Sequence, residues 1–162
     1  MKRRTLLSLG GASLLAGCGF KLRQAPEFAF QTIYVGTAPT SGLGKELKRD
    51  IAANGKVTVV NTPAAAQVIL EVMNEQREKV VVGLNASGQV REFELRVRLR
   101  FKLRTPDGKE LIPDSEIVQQ QDISYNESVA LAKEAEEQLL YRSMQTDIVQ
   151  QLMRRLAAIK SI

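Results

Sequence analysis

Cys18 is the only cysteine in the 162-residue chain, and it closes the run Leu15-Ala16-Gly17-Cys18. A basic start, Lys2-Arg3-Arg4, and the apolar stretch Thr5 to Leu15 precede it. A positive start orients such a segment toward the cytoplasm, and the apolar stretch is too short to span a bilayer. Small residues before the cysteine let a peptidase approach the backbone. The pattern predicts a lipoprotein signal peptide over residues 1–17 and a Cys18 thiol that carries lipid as the first mature residue. Each acyl methylene adds about 0.8 kcal/mol of membrane affinity, so several chains on one residue would anchor a domain durably. Gly19 follows the cysteine where Asp would favour retention at the inner membrane, so the expected destination is the outer membrane.

The remaining side chains argue against catalysis. The chain has no histidine, which removes the commonest general base and metal ligand, and with it zinc sites and Ser-His-Asp or Cys-His chemistry. Glu134, Glu136 and Glu137 resemble an acid cluster, but consecutive acids on a helix read as a solvated face, with no nucleophile beside them. We therefore expect no catalytic residues, no metal and no cofactor. With Cys18 lipidated, the domain has no internal disulfide, and its stability must come from packing. Hydrophobic residues make up 44% of the chain, enough for one core. Loss of Lys2, Arg3 and Arg4 leaves 20 Lys and Arg against 18 Asp and Glu, a net charge of +2. Any attraction for anions must then come from local patterning.

Such patterning occurs between Glu92 and Arg104. Phe93, Leu95, Val97, Leu99, Phe101 and Leu103 alternate with Glu94, Arg96, Arg98, Arg100, Lys102 and Arg104. On a strand the two sets face opposite sides, so one face is core and the other carries five cations about 7 Å apart. Arginine suits bidentate contacts with phosphate. A hairpin that pairs Leu84 with Gln89 sets Leu70 against Leu103, Glu71 against Lys102, Val72 against Phe101 and Glu75 against Arg98. It also sets Arg96 against Arg77 and Arg100 against Met73, leaving the stripe partly without acids. Asn74, Gln76 and Glu78 then oppose apolar residues, which a bulge midway would relieve.

The elements that hold this stripe read as follows. Residues 18–29 form a lipidated tether containing Pro26, and residues 30–162 a single domain. Phe30 to Val35 suits a strand. Thr40 or Ser41 can cap a helix carrying Leu43, Leu47 and Ile51, ended by Asn54-Gly55, and Val57 to Val60 forms a second strand. Gln67 to Leu84 and Gln89 to Arg104 make one long hairpin around Asn85-Ala86-Ser87-Gly88. Lys109 to Tyr125 is less regular, with Ile117 to Tyr125 the better strand and Pro113 marking an edge or interruption. Asn126 caps a final helix running to about Ile159, with Leu131, Ala135, Leu139, Ile148, Leu152, Leu156 and Ile159 inward. The fold class is α+β.

Cys18-Gly19-Phe20-Lys21-Leu22-Arg23 resembles the opening of mature chains in the LptE lipopolysaccharide-assembly lipoprotein family. The resemblance continues through Val129-Ala130-Leu131-Ala132-Lys133-Glu134 and Gln151-Leu152-Met153-Arg154-Arg155-Leu156, and it covers essentially the whole chain. It implies two helices packed on one face of a mixed, mainly four-stranded sheet. It also implies an outer-membrane lipoprotein that plugs an LptD-type β-barrel, assists its assembly and binds lipopolysaccharide during insertion into the outer leaflet. For lipopolysaccharide contact, Lys133 is the helix match. Arg91 is the nearest basic residue on the strand side, because Gln89 occupies the aligned position. Arg96, Arg98, Arg100 and Lys102 complete the candidate set. The implied partners are the barrel, lipopolysaccharide and the membrane, with no nucleic acid. An auxiliary lipoprotein of another envelope lipid-transport system of the ABC type is the alternative, and the identity of the partner separates the two.

Overall fold

The computed structural model describes residues 26–162; Cys18 and the signal segment lie outside the described residues. Five strands form one mixed sheet: β1 (Thr32–Gly36), β2 (Thr58–Val60), β3 (Val68–Leu84), β4 (Val90–Arg104) and β5 (Glu110–Ser124). Their order is β2-β1-β3-β4-β5, with β1 parallel to β2 and β3 and the remaining pairs antiparallel. Two helices, α1 (Gly42–Ala53) and α2 (Ala130–Ala157), pack on the apolar face. The architecture is the α+β one expected, with short β2 as a fifth strand.

Local chemistry explains the boundaries. Ser41 accepts a hydrogen bond from the Gly44 amide at 2.8 Å, which satisfies one of the orphan donors that begin α1. Gly55 adopts φ +73° after the α1 C-terminus, a conformation that a Cβ disfavours. Asn85 makes the hairpin turn from within: its side-chain oxygen accepts from the Ser87 and Gln89 amides at 3.0 and 2.9 Å. Leu84 therefore pairs with Val90, one residue beyond the Gln89 partner expected. Asn126 caps a single 3-10 turn, Glu127–Val129, that leads into α2.

The core lies between the sheet and both helices. β1 contributes Ile33 and Val35, β3 Val68 and Leu70, and β4 Leu95 through Leu103 at alternate positions, all buried. From α1 come Leu43, Leu47 and Ile51, and from α2 Tyr141, Met144, Ile148, Val149, Leu152 and Leu156. Phe28 and Phe30 stack at 5.3 Å, and Asn54 donates to the Pro26 carbonyl at 2.6 Å, so the chain enters the domain against the end of α1.

Two expectations change. β5 begins at Glu110, well before Ile117, and passes through Pro113 because β5 is an edge strand where the missing N–H costs no ladder bond. The register shifts lie in β5 itself: Pro113 and Asp114 stand against the single residue Lys102, and Leu111 is an extra residue before Ile112, so Pro113 marks an irregularity as well as an edge. In α2, Ile148, Leu152 and Leu156 face inward as expected, whereas Leu131, Ala135 and Leu139 do not: Leu131 is 83% and Leu139 62% exposed. The inward positions of the first half are Lys133, Glu137, Leu140, Tyr141 and Met144.

One residue underlies that phase. Val72 opposes Phe101, but Asn74 opposes Arg100, so Met73 is an inserted bulge residue in β3. Beyond it the faces of β3 exchange relative to β4. Glu75, Arg77 and Lys79 now stand opposite Leu99, Val97 and Leu95, on the helix side. The helices answer with polar groups. Ser41 donates to Glu75 at 2.5 Å, Arg77 donates to Gln145 at 2.9 Å and lies over the Tyr141 ring, and Lys79 pairs with Glu137 at 2.6 Å. Leucines on this face of α2 would have met a polar strand.

Candidate functional site

The bulge also decides the fate of the basic stripe. It carries Asn74, Gln76 and Glu78 to the outer face, opposite Arg100, Arg98 and Arg96. The bulge expected midway is thus present, and the register without it, with Arg77 against Arg96, Met73 against Arg100 and Glu75 against Arg98, holds only from Ile69 to Val72. Glu78 stands 3.9 Å from Arg96 and 3.4 Å from Arg98. Arg96 also meets Glu94 along its own strand, and Arg98 meets Glu116 of β5 at 3.6 Å. Arg100 donates through Nε to Asp114 at 2.8 Å and makes a second contact with the same carboxylate. Lys102 and Arg104 share Glu71, at 3.0 and 2.7 Å.

Every cation of the stripe therefore has a carboxylate neighbour, and the expectation of a partly uncompensated patch is corrected. Charge balance across three strands is the reason: β3 and β5 each supply acids to the rows flanking β4. The side chains of Arg96, Arg98 and Lys102 are about one-third exposed, so the pairs are neither fully solvated nor fully desolvated. The Nε atoms of Arg96 and Arg98 are buried without a hydrogen-bond acceptor, so charge more than hydrogen-bond geometry holds that part of the ladder. The Lys102 ammonium, then the Arg104 guanidinium, hold the Glu71 carboxyl below the usual range. Arg100 does the same to Asp114, and its own pKa rises in return.

The other two candidates lie at the hairpin end of the sheet. Arg91 is exposed, has no ion-pair partner among the described residues, and lines an open cleft of about 470 Å³ with Gln89, Tyr125, Asn126 and Glu127. The Tyr125 amide donates to the Arg91 carbonyl at 2.7 Å. Lys133 reaches Ser124 Oγ at 3.1 Å and Glu136 at 2.8 Å. It lines a smaller cavity of about 110 Å³ with Lys79, Phe93, Ser124 and Tyr125. Phe93 and Tyr125 meet edge to face at 5.2 Å, and Lys79 sits 4.4 Å from the Phe93 centroid.

The fold thus brings Arg91 and Lys133 to either side of Tyr125 and separates them in character from the paired stripe. Lys79 is a further cation there that the sequence did not single out. Its signal was absent, since only the Met73 bulge turns Lys79 toward α2. Chemically this end can offer cations beside aromatic rings, which suits an anionic amphiphile. Among the described residues, no group of three or more His, Cys, Asp or Glu is arranged to hold a metal ion. No helix among them is long and apolar enough to cross a membrane.

Comparisons with known proteins place this geometry. The family model "LptE: Lipopolysaccharide-assembly" matches residues 30–156. A protein named LPS-assembly lipoprotein LptE from Photorhabdus laumondii is 26% identical over 166 residues, covering 98% of this chain and 88% of its own. The protein of that name from Yersinia enterocolitica is 27% identical, with 98% and 78% covered. Among solved structures, lipoprotein B from Nitrosomonas europaea superposes with a TM-score of 0.74 at 38% identity, over 86% of this chain and 91% of that one. The rare lipoprotein B from Shewanella oneidensis shares the fold, with a TM-score of 0.69 at 19% identity over 79% and 95%. Strand order, helix placement and a family match spanning most of the domain agree, and the chain belongs to the LptE lipopolysaccharide-assembly family.

Proposed function

We propose that this protein is a lipid-anchored, non-catalytic subunit of lipopolysaccharide assembly at the outer membrane. In this reading Cys18 carries the anchor, and the domain seats in the lumen of an LptD-type β-barrel and assists its assembly. The anionic headgroup of lipopolysaccharide is met by Arg91 and Lys133. Family membership over residues 30–156 is the observation that carries the reading.

The arrangement of cations supports the choice of residues. A phosphate binding at Arg96, Arg98, Arg100 or Lys102 must first displace a carboxylate already 2.8 to 3.9 Å away. Arg91 has no ion-pair partner to be displaced among the described residues, and Lys133 has Glu136 at 2.8 Å, with Glu134 and Glu137 also lining its cavity. Tyr125 lines both clefts, and Phe93 meets it edge to face in the Lys133 cavity. The strand stripe then serves chiefly to hold the outer face together.

Binding of purified lipopolysaccharide to the detergent-solubilised protein tests this. Arg91→Glu with Lys133→Glu should weaken it about tenfold or more, whereas Arg96→Gln should change it less than twofold. Equal losses from both would overturn the assignment.

A further inference from the structure

β1 pairs with β3 only from Val68 to Glu71. Beyond Glu71, the edge of β3 opposite β4 has no strand beside it among the described residues. Its first part is partly shielded, because Ala38 to Gly42 border Val72 to Arg77 across an open cleft and Ser41 holds Glu75. At Glu78 the Tyr141 hydroxyl donates to the backbone carbonyl at 2.7 Å, so that carbonyl points away from β4. Strand alternation then turns the N–H and C=O of Val80 to the same open side, and the regular run ends at Val82, an inserted bulge residue between the Val81–Phe93 and Gly83–Glu92 pairs.

This stretch is also apolar. Val80, Val81, Val82 and Leu84 are 39, 46, 50 and 61% exposed. Above it runs the side of α2 that the core does not use. Leu131, Glu134, Ala135 and Gln138 line a second open cleft of about 480 Å³ with Lys79 of β3. A row of unpaired backbone groups beside exposed valines, under an apolar helical shelf, is what proteins ordinarily cover or blunt. The opposite edge of the sheet is blunted: β5 carries Pro113, Asp114, Glu116 and Asp122.

We infer that β3 from Glu78 to Val82 is a strand-addition site for an extended segment of a partner protein in which apolar and basic residues alternate. Only an extended peptide supplies donors and acceptors at the strand repeat; an acyl chain would leave the Val80 N–H and C=O unpaired. Apolar residues of the segment would lie against Val81, Leu131 and Ala135. Basic residues answer Glu134, which has no ion-pair partner among the described residues, whereas Glu137 is already held by Lys79. A second copy fits less well, because its own Val80-Val81-Val82 run has no basic alternation. The site lies at the end of β3 away from Pro26, where the chain leaves toward Cys18. Its cleft adjoins the Lys133 cavity, with which it shares Lys79, Glu134 and Glu137.

The test uses the full chain in detergent and a fluorescent octapeptide of alternating Lys and Val. The peptide should bind saturably and slow amide exchange across Glu78–Val82. N-methylation of alternate peptide groups, a Glu-Val sequence, Val80→Pro and Leu131→Glu should each weaken binding at least fivefold. Equal binding of the N-methylated peptide, or protection confined elsewhere, would overturn the inference. Protection of Glu78–Val82 without peptide, rising with protein concentration, would assign the edge to a second copy and overturn the partner proposed.

Discussion

Replacing Glu78 by glutamine tests whether the outer face is a balanced ladder or a latent anion site. Among the described residues Glu78 is the one acid ion-paired with two arginines, at 3.9 Å from Arg96 and 3.4 Å from Arg98, with about a quarter of its side chain exposed. Exposed pairs contribute roughly 0.2–1 kcal/mol each, and burial of the Arg96 and Arg98 Nε atoms adds to the loss when their acid is removed. Arg96 keeps Glu94 and Arg98 keeps Glu116, which limits the cost. The expected loss is about 1 kcal/mol, seen as a lower urea midpoint at unchanged slope and a melting temperature about 4 °C lower. The deficit should shrink in high salt. Lipopolysaccharide affinity should change less than twofold, because Arg91 and Lys133 are untouched. Unchanged stability together with a tenfold gain in affinity would refute the reasoning, since freeing Arg96 and Arg98 would then have opened the true site.

The remaining predictions concern the frame. Leu152→Ala, at a fully buried position, should cost about 2–5 kcal/mol by denaturation, whereas Leu131→Gln should cost less than about 0.5 kcal/mol. Gly44→Ala should destabilise by about 1–3 kcal/mol, because its Cβ would lie 2.3 Å from Thr37 Oγ1 and 2.7 Å from Thr37 Cβ. Thr37→Ala in the same chain should restore part of the loss, as read from the urea midpoint. Glu71 has a lowered folded pKa, held first by Lys102 and then by Arg104, so its contribution is present above the ordinary glutamate value of about 4.3 and is lost as pH falls through the folded value. Wild type and Glu71→Gln should therefore differ by about 1 kcal/mol at neutral pH and converge as the pH falls through the lowered folded value in urea titrations.

Much of the fold was legible because it rests on local rules. Alternation along β4, the Ser41 cap, the Leu43-Leu47-Ile51 spacing and the Asn85 turn each need only neighbouring residues. The misreadings share a nonlocal cause. The opposition of Asn74, Gln76 and Glu78 to apolar residues signalled a bulge, as found, but nothing in Val72-Met73-Asn74 marks its place, since its benefit comes from placing Glu78 by Arg96 on β4 and Lys79 by Glu137 on α2. With the bulge unplaced, the stripe read as partly unpaired and the first half of α2 took its phase from Leu131 and Leu139. The place of Arg91 and Lys133 in two clefts that share Tyr125 was likewise hidden, because those clefts form only once the hairpin and α2 are assembled.

The most direct measurement is of the partner. The lipidated protein, extracted from native outer membranes in mild detergent and captured by a C-terminal tag, should bring with it a large β-barrel in a one-to-one ratio. Recovery of an ABC transporter component in its place, or of the protein alone, would contradict a role as the barrel's subunit.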